Sequence, residues 1–203
     1  MSEPTPRGMT PRQATVVRKT LETDIRVELR LDGSGQAQVA TGIGFLDHLL
    51  TALAKHARFD LVLSCQGDLH IDDHHTAEDC ALSLGAALDQ ALGDRRGVAR
   101  FGHAYAPLDE ALARAVIDFS GRPHAEVHLG LRREALGALA CENITHVLRS
   151  LAIAARATLH VDVLRGENDH HQAEAAFKAT ALALRAAVAR DGGVGVPSTK
   201  GVL

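Results

Sequence analysis

Phe45–Leu63, FLDHLLTALAKHARFDLVL, returns in the second half of the chain as Asn143–Val161, NITHVLRSLAIAARATLHV, with His48 falling on His146. A little further on, IDDHHTAEDCALSLGAAL from Ile71 returns as ENDHHQAEAAFKATALAL from Glu167. That second match places His74 on His170, His75 on His171 and Glu78 on Glu174. The chain therefore contains one supersecondary unit twice, and the repeat governs every other reading. In each copy the apolar residues open at helical spacing: Leu46, Leu49, Leu50 and Leu53, then Ile144, Val147, Leu148 and Leu151. Apolar runs of strand length follow at Phe59–Ser64 and Thr158–Val163. Asp72–Asp73 and Asn168–Asp169 then supply helix-start chemistry ahead of a long apolar helix.

Upstream, IRVELRLDGSGQAQVATG alternates around DGSG, and ARAVIDFSGRPHAEVHLG alternates around SGRP. That pattern predicts a hairpin at the start of each half. The expected fold class is α+β: a two-layer α/β sandwich made of two duplicated half-domains. Each half carries a mostly antiparallel four-stranded sheet with two helices. The expected organisation is one domain over residues 1–203, with halves at about 13–96 and 97–193 and a tail at 194–203. The junction falls near Gly93–Gly97.

With 22 basic and 25 acidic residues and no long run of either sign, the chain offers a polyanion no footprint, so nucleic-acid binding is not expected. Cys65, Cys80 and Cys141 are odd in number and lack CxxC spacing, which suggests buried reduced thiols. No apolar stretch approaches the roughly 20 residues that cross a bilayer. The opening MSEPTPRGMTPRQA lacks a signal-peptide core. A cytoplasmic protein without a membrane partner is expected.

Histidine breaks the ordinary composition: there are 12, against one Tyr and no Trp. A lone His on a helix face is usually a satisfied core or surface residue. Packing, however, has no need of imidazole at matched positions in two HHxxE motifs and two further repeated sites. On a helix His74 and Glu78 lie one turn apart on the same face, and so do His170 and Glu174. Adjacent histidines diverge by about 100°, so each pair can serve two different ions. The candidate metal set is His48, His74, His75, Glu78, His146, His170, His171 and Glu174. His56, His70, His103, His124, His128 and His160 have no such partner logic. The donor types suit several first-row divalent metals, and intrinsic affinity disfavours manganese.

At these residues the chain closely resembles the imidazoleglycerol-phosphate dehydratase family. The motifs carrying the resemblance are RKTLET from Arg18, GIGFLDHLL from Gly42, GDLHIDDHHTAED from Gly67, ARFGHAYAPLDEAL from Ala99, DFSGRPHAEV from Asp118, GENDHHQAEAAFKA from Gly166 and PSTKGVL at the end. The chain departs from the family at Ala52, where many relatives carry Gln, and at Val147 and Leu148, which replace an aromatic pair.

The resemblance implies dehydration of D-erythro-imidazoleglycerol phosphate to imidazole acetol phosphate in L-histidine biosynthesis. It also implies Mn2+ as cofactor, two ions per active site, and a homo-oligomeric shell of 24 subunits in which neighbours complete each site. The C2 proton of that substrate is not next to a carbonyl. A metal-bound imidazolate whose electrons expel the C3 hydroxyl gives the reaction a route, with the ions as Lewis acids and template. The implied catalytic residues are Glu22, His48, His74, His75, Glu78, His170, His171 and Glu174, with Glu22 of RKTLET the candidate acid/base. Glu22, Arg100, Arg122, Lys178, Ser198 and Lys200 match the family positions that hold the phosphorylated substrate.

Two rival functions use the same ligands. A two-metal hydrolase would usually lean on bridging Asp ligands, and the candidate ligand set lacks a repeated one. A non-enzymatic metal-binding shell would have no use for Glu22 or for the cations Arg100, Arg122 and Lys200. GGVGVPSTKG has the wrong residue order for a phosphate loop, and GIG at Gly42 is too short for a dinucleotide site.

Overall fold

The computed structural model describes residues 11–193 and 195–203. The first ten residues, part of the stretch without a signal-peptide core, and Val194 of the tail lie outside the described residues. The first half runs β1 (Gln13–Lys19), β2 (Thr23–Arg30), β3 (Ala37–Ala40), α1 (Gly44–Ala57), β4 (Asp60–Gly67) and α2 (His74–Leu92). The second runs β5 (Phe101–Leu108), β6 (Ala111–Asp118), β7 (His124–His128), the short β8 (Ala135–Leu136) and β9 (Leu139–Ala140), α3 (Cys141–Ala154), β10 (Thr158–Arg165) and α4 (Asp169–Ala187). Among the described residues the β8–β9 ribbon has no counterpart in the first half.

Each half builds a four-stranded sheet of the same order, β1-β2-β4-β3 and β5-β6-β10-β7. Two pairings in each are antiparallel and the last is parallel. The class is α+β with two repeated half-domains, as the sequence predicts. Alternation sets the faces: Ile25, Val27 and Leu29 of β2 are buried while Arg26, Glu28 and Arg30 face out. All three cysteines are free and buried.

The hairpins differ from expectation. DGSG joins β2 to β3, yet β4 lies between those strands, and SGRP joins β6 to β7 across β10 in the same way. Within the two four-stranded sheets the hairpins are β1–β2 and β5–β6, one strand earlier. Asp60 explains the first case. Its Oδ1 accepts backbone N–H bonds from Ser34, Gly35 and Gln36 at 2.8, 3.1 and 3.1 Å, so the loop is tied to the start of β4 instead of closing β3 onto β2. Alternation reports that one face is buried. It does not report which strand is the neighbour.

Within each half the helices cover one sheet face: α2 lies on β1 and β2, and α4 on β5 and β6. The helix layers then pack on each other, α1 against α4 and α2 against α3. The molecule is thus two sandwiches with their helices face to face and one continuous core between the sheets. Gly85 permits the approach of α2 to α3. A Cβ there would stand 2.5 Å from the Leu151 carbonyl oxygen and 2.7 Å from the Ala154 Cβ. The junction holds Gly93 at φ 57° as the cap of α2. It also holds Arg95, 3% exposed, whose guanidinium donates to the carbonyls of Phe119 and Ala155 at 2.9 and 3.1 Å and pairs with Asp89 at 2.5 Å.

Candidate metal centres at the junction of the two halves

The packing of α1 on α4 brings His48 of the first half to His170 and Glu174 of the second. His48 Nε2 is 3.0 Å and His170 Nε2 3.3 Å from the same oxygen, Glu174 Oε2. The packing of α2 on α3 makes the mirror arrangement. His146 Nε2 is 2.9 Å from Glu78 Oε1, with His74 as third member. In each trio one donor atom per residue lies within 4.8 Å of the others. Every trio therefore takes two ligands from one half, at the predicted i, i+4 spacing, and one from the other half.

Local sequence fixes these positions. Asp47 Oδ1 accepts from the backbone N–H and hydroxyl of Thr41 at 2.8 and 2.6 Å, which sets the entry into α1 just before His48. Asn168 caps α4 by accepting from His170 N at 2.9 Å. At the start of α2 the N-cap residue Asp73 makes no side-chain cap bond, and Asp72 accepts from His74 N instead, at 2.8 Å. Asp73 accepts from Ala140 N at 2.7 Å, tying the head of α2 to the strand that leads into α3.

The remaining two histidines of the predicted set stand outside both trios, in matching surroundings. His75 Nδ1 donates to Asp68 Oδ2 at 3.0 Å, and its Nε2 faces Glu22 Oε1 at 3.7 Å. His171 Nδ1 donates to Glu110 Oε2 at 2.7 Å, and its Nε2 faces Asp109 Oδ2 at 3.8 Å. Inside a trio, His74 Nδ1 donates to Asn143 Oδ1 at 2.9 Å. A carboxylate or amide on Nδ1 leaves Nε2 as the unprotonated donor nitrogen that a cation requires. At the repeat position of Asn143 stands Phe45, whose ring packs 5.0 Å from that of His170.

Charge completes the picture. Lys178 Nζ lies 2.7 Å from Glu174 Oε1. Burial pushes the Glu174 carboxyl up, but Lys178 and His48 outweigh it and hold the group at about 2. The bond from His171, with backbone N–H bonds from Asn168 and Glu167, holds Glu110 at about 2. Asp68 in turn raises the pKa of His75, and Glu110 that of His171. Two imidazoles and a carboxylate per trio make a donor set that fits a first-row divalent cation.

Of the other predicted residues, Glu22 stands exposed in the β1–β2 turn. Arg100 is engaged: it forks onto Asp118 at 2.6 and 3.0 Å and donates to the Pro197 carbonyl at 2.8 Å. Arg122 is exposed in its turn, beside Gly121, where a Cβ would stand 2.6 Å from the Leu203 carbonyl carbon. Ser198 Oγ accepts from Lys200 N at 3.2 Å in the tail. Arg100, the Arg122 turn and the tail thus gather together, whereas Lys178 stands on the Glu174 trio. Among the remaining histidines, His124 and His128 flank Glu126 on the exposed face of β7, at 3.4 and 3.5 Å.

Residues 41–184 match the family model described as imidazoleglycerol-phosphate dehydratase. The chain belongs to the imidazoleglycerol-phosphate dehydratase family. It is 53% identical over 219 residues to the imidazoleglycerol-phosphate dehydratase of Saccharomyces cerevisiae, covering 96% of this chain and all of the relative. It is 64% identical over 192 residues to that of Phytophthora nicotianae, covering 95% of this chain but 42% of that longer protein. The crystal structure of the dehydratase from Pyrococcus furiosus in complex with (S)-C348 superposes with a TM-score of 0.80 at 38% identity, covering 93% of this chain and 100% of that one. The Staphylococcus aureus dehydratase gives 0.77 at 35% identity, covering 87% and 99%. The dehydratase family is one of enzymes, and it accounts for the duplicated fold.

Asn143, Asp68, Glu110 and Asp109 were not legible as site residues from ligand spacing. Glu110 and Asp109 lie in the quoted APLDEAL stretch and Asp68 in GDLH, but only the folded chain sets them against His171 and His75.

Proposed function

We propose that the chain dehydrates D-erythro-imidazoleglycerol phosphate to imidazole acetol phosphate and water, in the cytoplasm, using two Mn2+ ions per active site. The observation that carries this is the pair of mirror trios, His48–His170–Glu174 and His74–Glu78–His146, in a chain of this family. The cations would supply Lewis acidity at the substrate's ring nitrogens, so that ring electrons can expel the C3 hydroxyl.

The chain's own residues supply the rest. Glu22 takes the C2 proton, and its place beside His75 Nε2 supports that role. The resulting enol relaxes to the ketone. Arg122, Ser198 and Lys200 hold the phosphate, with Arg100 fixing the tail that presents Ser198 and Lys200 and Lys178 adding charge beside Glu174. His75 and His171, oriented on Nδ1 and absent from the trios, are suited to complete sites on neighbouring subunits of a 24-subunit shell. Residues 1–203 then act as one domain, with halves 13–96 and 97–193 and a substrate-binding tail 194–203.

Incubating metal-loaded protein with the substrate tests the reading. A new carbonyl product with phosphate retained is expected. Release of inorganic phosphate would establish a two-metal hydrolase instead, and metal uptake without turnover a binding shell.

A further inference from the structure

Glu78 and Asp79 are neighbours on α2 with opposite outlooks. Glu78 faces its histidines, while Asp79 is 5% exposed and turned into the fold toward the β1–β2 hairpin. Both Asp79 oxygens are engaged there. Oδ2 accepts from the Thr23 hydroxyl at 2.6 Å, and Oδ1 pairs with the Arg18 guanidinium at 2.9 Å. Thr23 is itself 3% exposed.

Arg18 and Thr23 bracket the turn that carries Glu22. Inside the turn, Thr20 Oγ1 accepts from Glu22 N at 3.1 Å and from Thr23 N at 2.9 Å. The Glu22 carbonyl accepts from Asp68 N at 3.1 Å, and Asp68 is the residue that orients His75. The Glu22 carboxylate is exposed, and among the described residues it makes no side-chain hydrogen bond, only a 3.7 Å approach to His75 Nε2. Its position therefore depends on how firmly the turn is held.

The repeat supplies an internal control. The position of Asp79 is Ala175 in the second half, fully buried in α4. An apolar residue fills that place in the same fold, so packing does not call for a carboxylate. Burying one carries a desolvation cost that a purely structural contact need not meet.

We infer that Asp79 is a positioning residue for Glu22: through Thr23 and Arg18 it locks the hairpin turn onto α2, the helix that bears His74, His75 and Glu78. The inference rests on Glu22 being the acid/base of the proposed dehydration. Held this way, the carboxylate keeps a fixed relation to the cation-binding histidines while remaining accessible to substrate.

A double-mutant cycle on the manganese-loaded, assembled protein tests it, with kcat, KM and bound metal measured for Glu22→Gln, Asp79→Asn and the pair. Arg18→Gln, at a side chain 43% exposed, loosens the same lock from the surface and guards against a variant that fails to fold. Thr23→Ser retains the hydroxyl and Thr23→Val removes it. Expected are a loss of about 10²–10⁴ in kcat for Glu22→Gln. Asp79→Asn, Arg18→Gln and Thr23→Val should each lose about tenfold in kcat with metal content and KM nearly unchanged, a modest displacement being costly to oriented catalysis. Thr23→Ser should restore the rate. None of the three should lower the rate further in the Glu22→Gln background. Equal losses in both backgrounds, or a loss of bound metal that accounts for the fall, would overturn the inference. Full activity of Asp79→Asn with Glu22→Gln inactive would reject Asp79 alone. Full activity of Glu22→Gln would remove the acid/base reading beneath it.

Discussion

His48 Nε2 lies 3.0 Å from Glu174 Oε2, although the two residues are 126 positions apart and belong to different halves. His146 and Glu78 repeat the relation at 2.9 Å in the opposite sense. Each candidate cation site is thus completed only when the helix layers dock, and a cation placed there would cross-link α1 to α4 or α2 to α3. Ligand binding to the folded state alone adds about 2.7 kcal/mol at a free concentration 100 times the dissociation constant. Adding Mn2+ to metal-free protein should therefore raise its Tm, and His48→Ala or His146→Ala should each remove about half of that gain. Thermal unfolding with and without metal checks this. Equal metal-induced shifts in wild type and both variants would detach the trios from the cations.

Gly85 couples the same docking to the site. In Gly85→Ala the new methyl meets the Leu151 carbonyl at 2.5 Å and must push α2 from α3. Overpacking of this kind costs about 1–3 kcal/mol. The His74–Glu78–His146 trio should loosen while His48–His170–Glu174, on the other helix pair, is spared. Metal titration should find one site weakened and one near its original affinity; two unaffected sites would show that helix spacing does not set the geometry.

Much of this was legible in the sequence, and what was not has a physical reason. The i, i+4 pairs His74–Glu78 and His170–Glu174 follow from helix geometry, and the repeat exposes both halves. The exchange of His48 and His146 between halves cannot be read from the pattern, because periodicity marks which face is buried and not what covers it. The β2–β3 and β6–β7 hairpins fail for the same reason: β4 and β10, far along the chain, take the intervening places. Asn143 and Asp79 carry no spacing signature; their roles exist only through contacts that bring separate elements together.

His75 and His171 make a pH test. Their folded pKa values are raised above the ordinary 6.5, by bonds to Asp68 and to Glu110 respectively. The stability they lend metal-free protein is fully present below 6.5 and is lost as pH rises through the raised values. Cation binding at these imidazoles displaces the same protons, so affinity should climb across that window. Denaturant midpoints of metal-free protein and metal titrations over the same pH series should run in opposite directions. Parallel trends would contradict the assignment of those two imidazoles as ligands.

Arg95 holds the junction of the halves just beyond the C-terminal end of α2, the end opposite His74 and Glu78. In Arg95→Ala the carbonyls of Phe119 and Ala155 lose their donor, and Asp89, 28% exposed, loses its partner. Removing one member of such a pair costs about 3 kcal/mol. A lower denaturant midpoint is expected with little change in metal affinity; a change below about 0.5 kcal/mol would show that these buried bonds add little to stability.

Anomalous diffraction from crystals soaked in Mn2+ examines the cation sites themselves. Two peaks per chain are expected, one within bonding distance of His48, His170 and Glu174 and the other of His74, Glu78 and His146. Crystals that bind manganese elsewhere, with both trios empty, would contradict the assignment of these side chains as the metal centres.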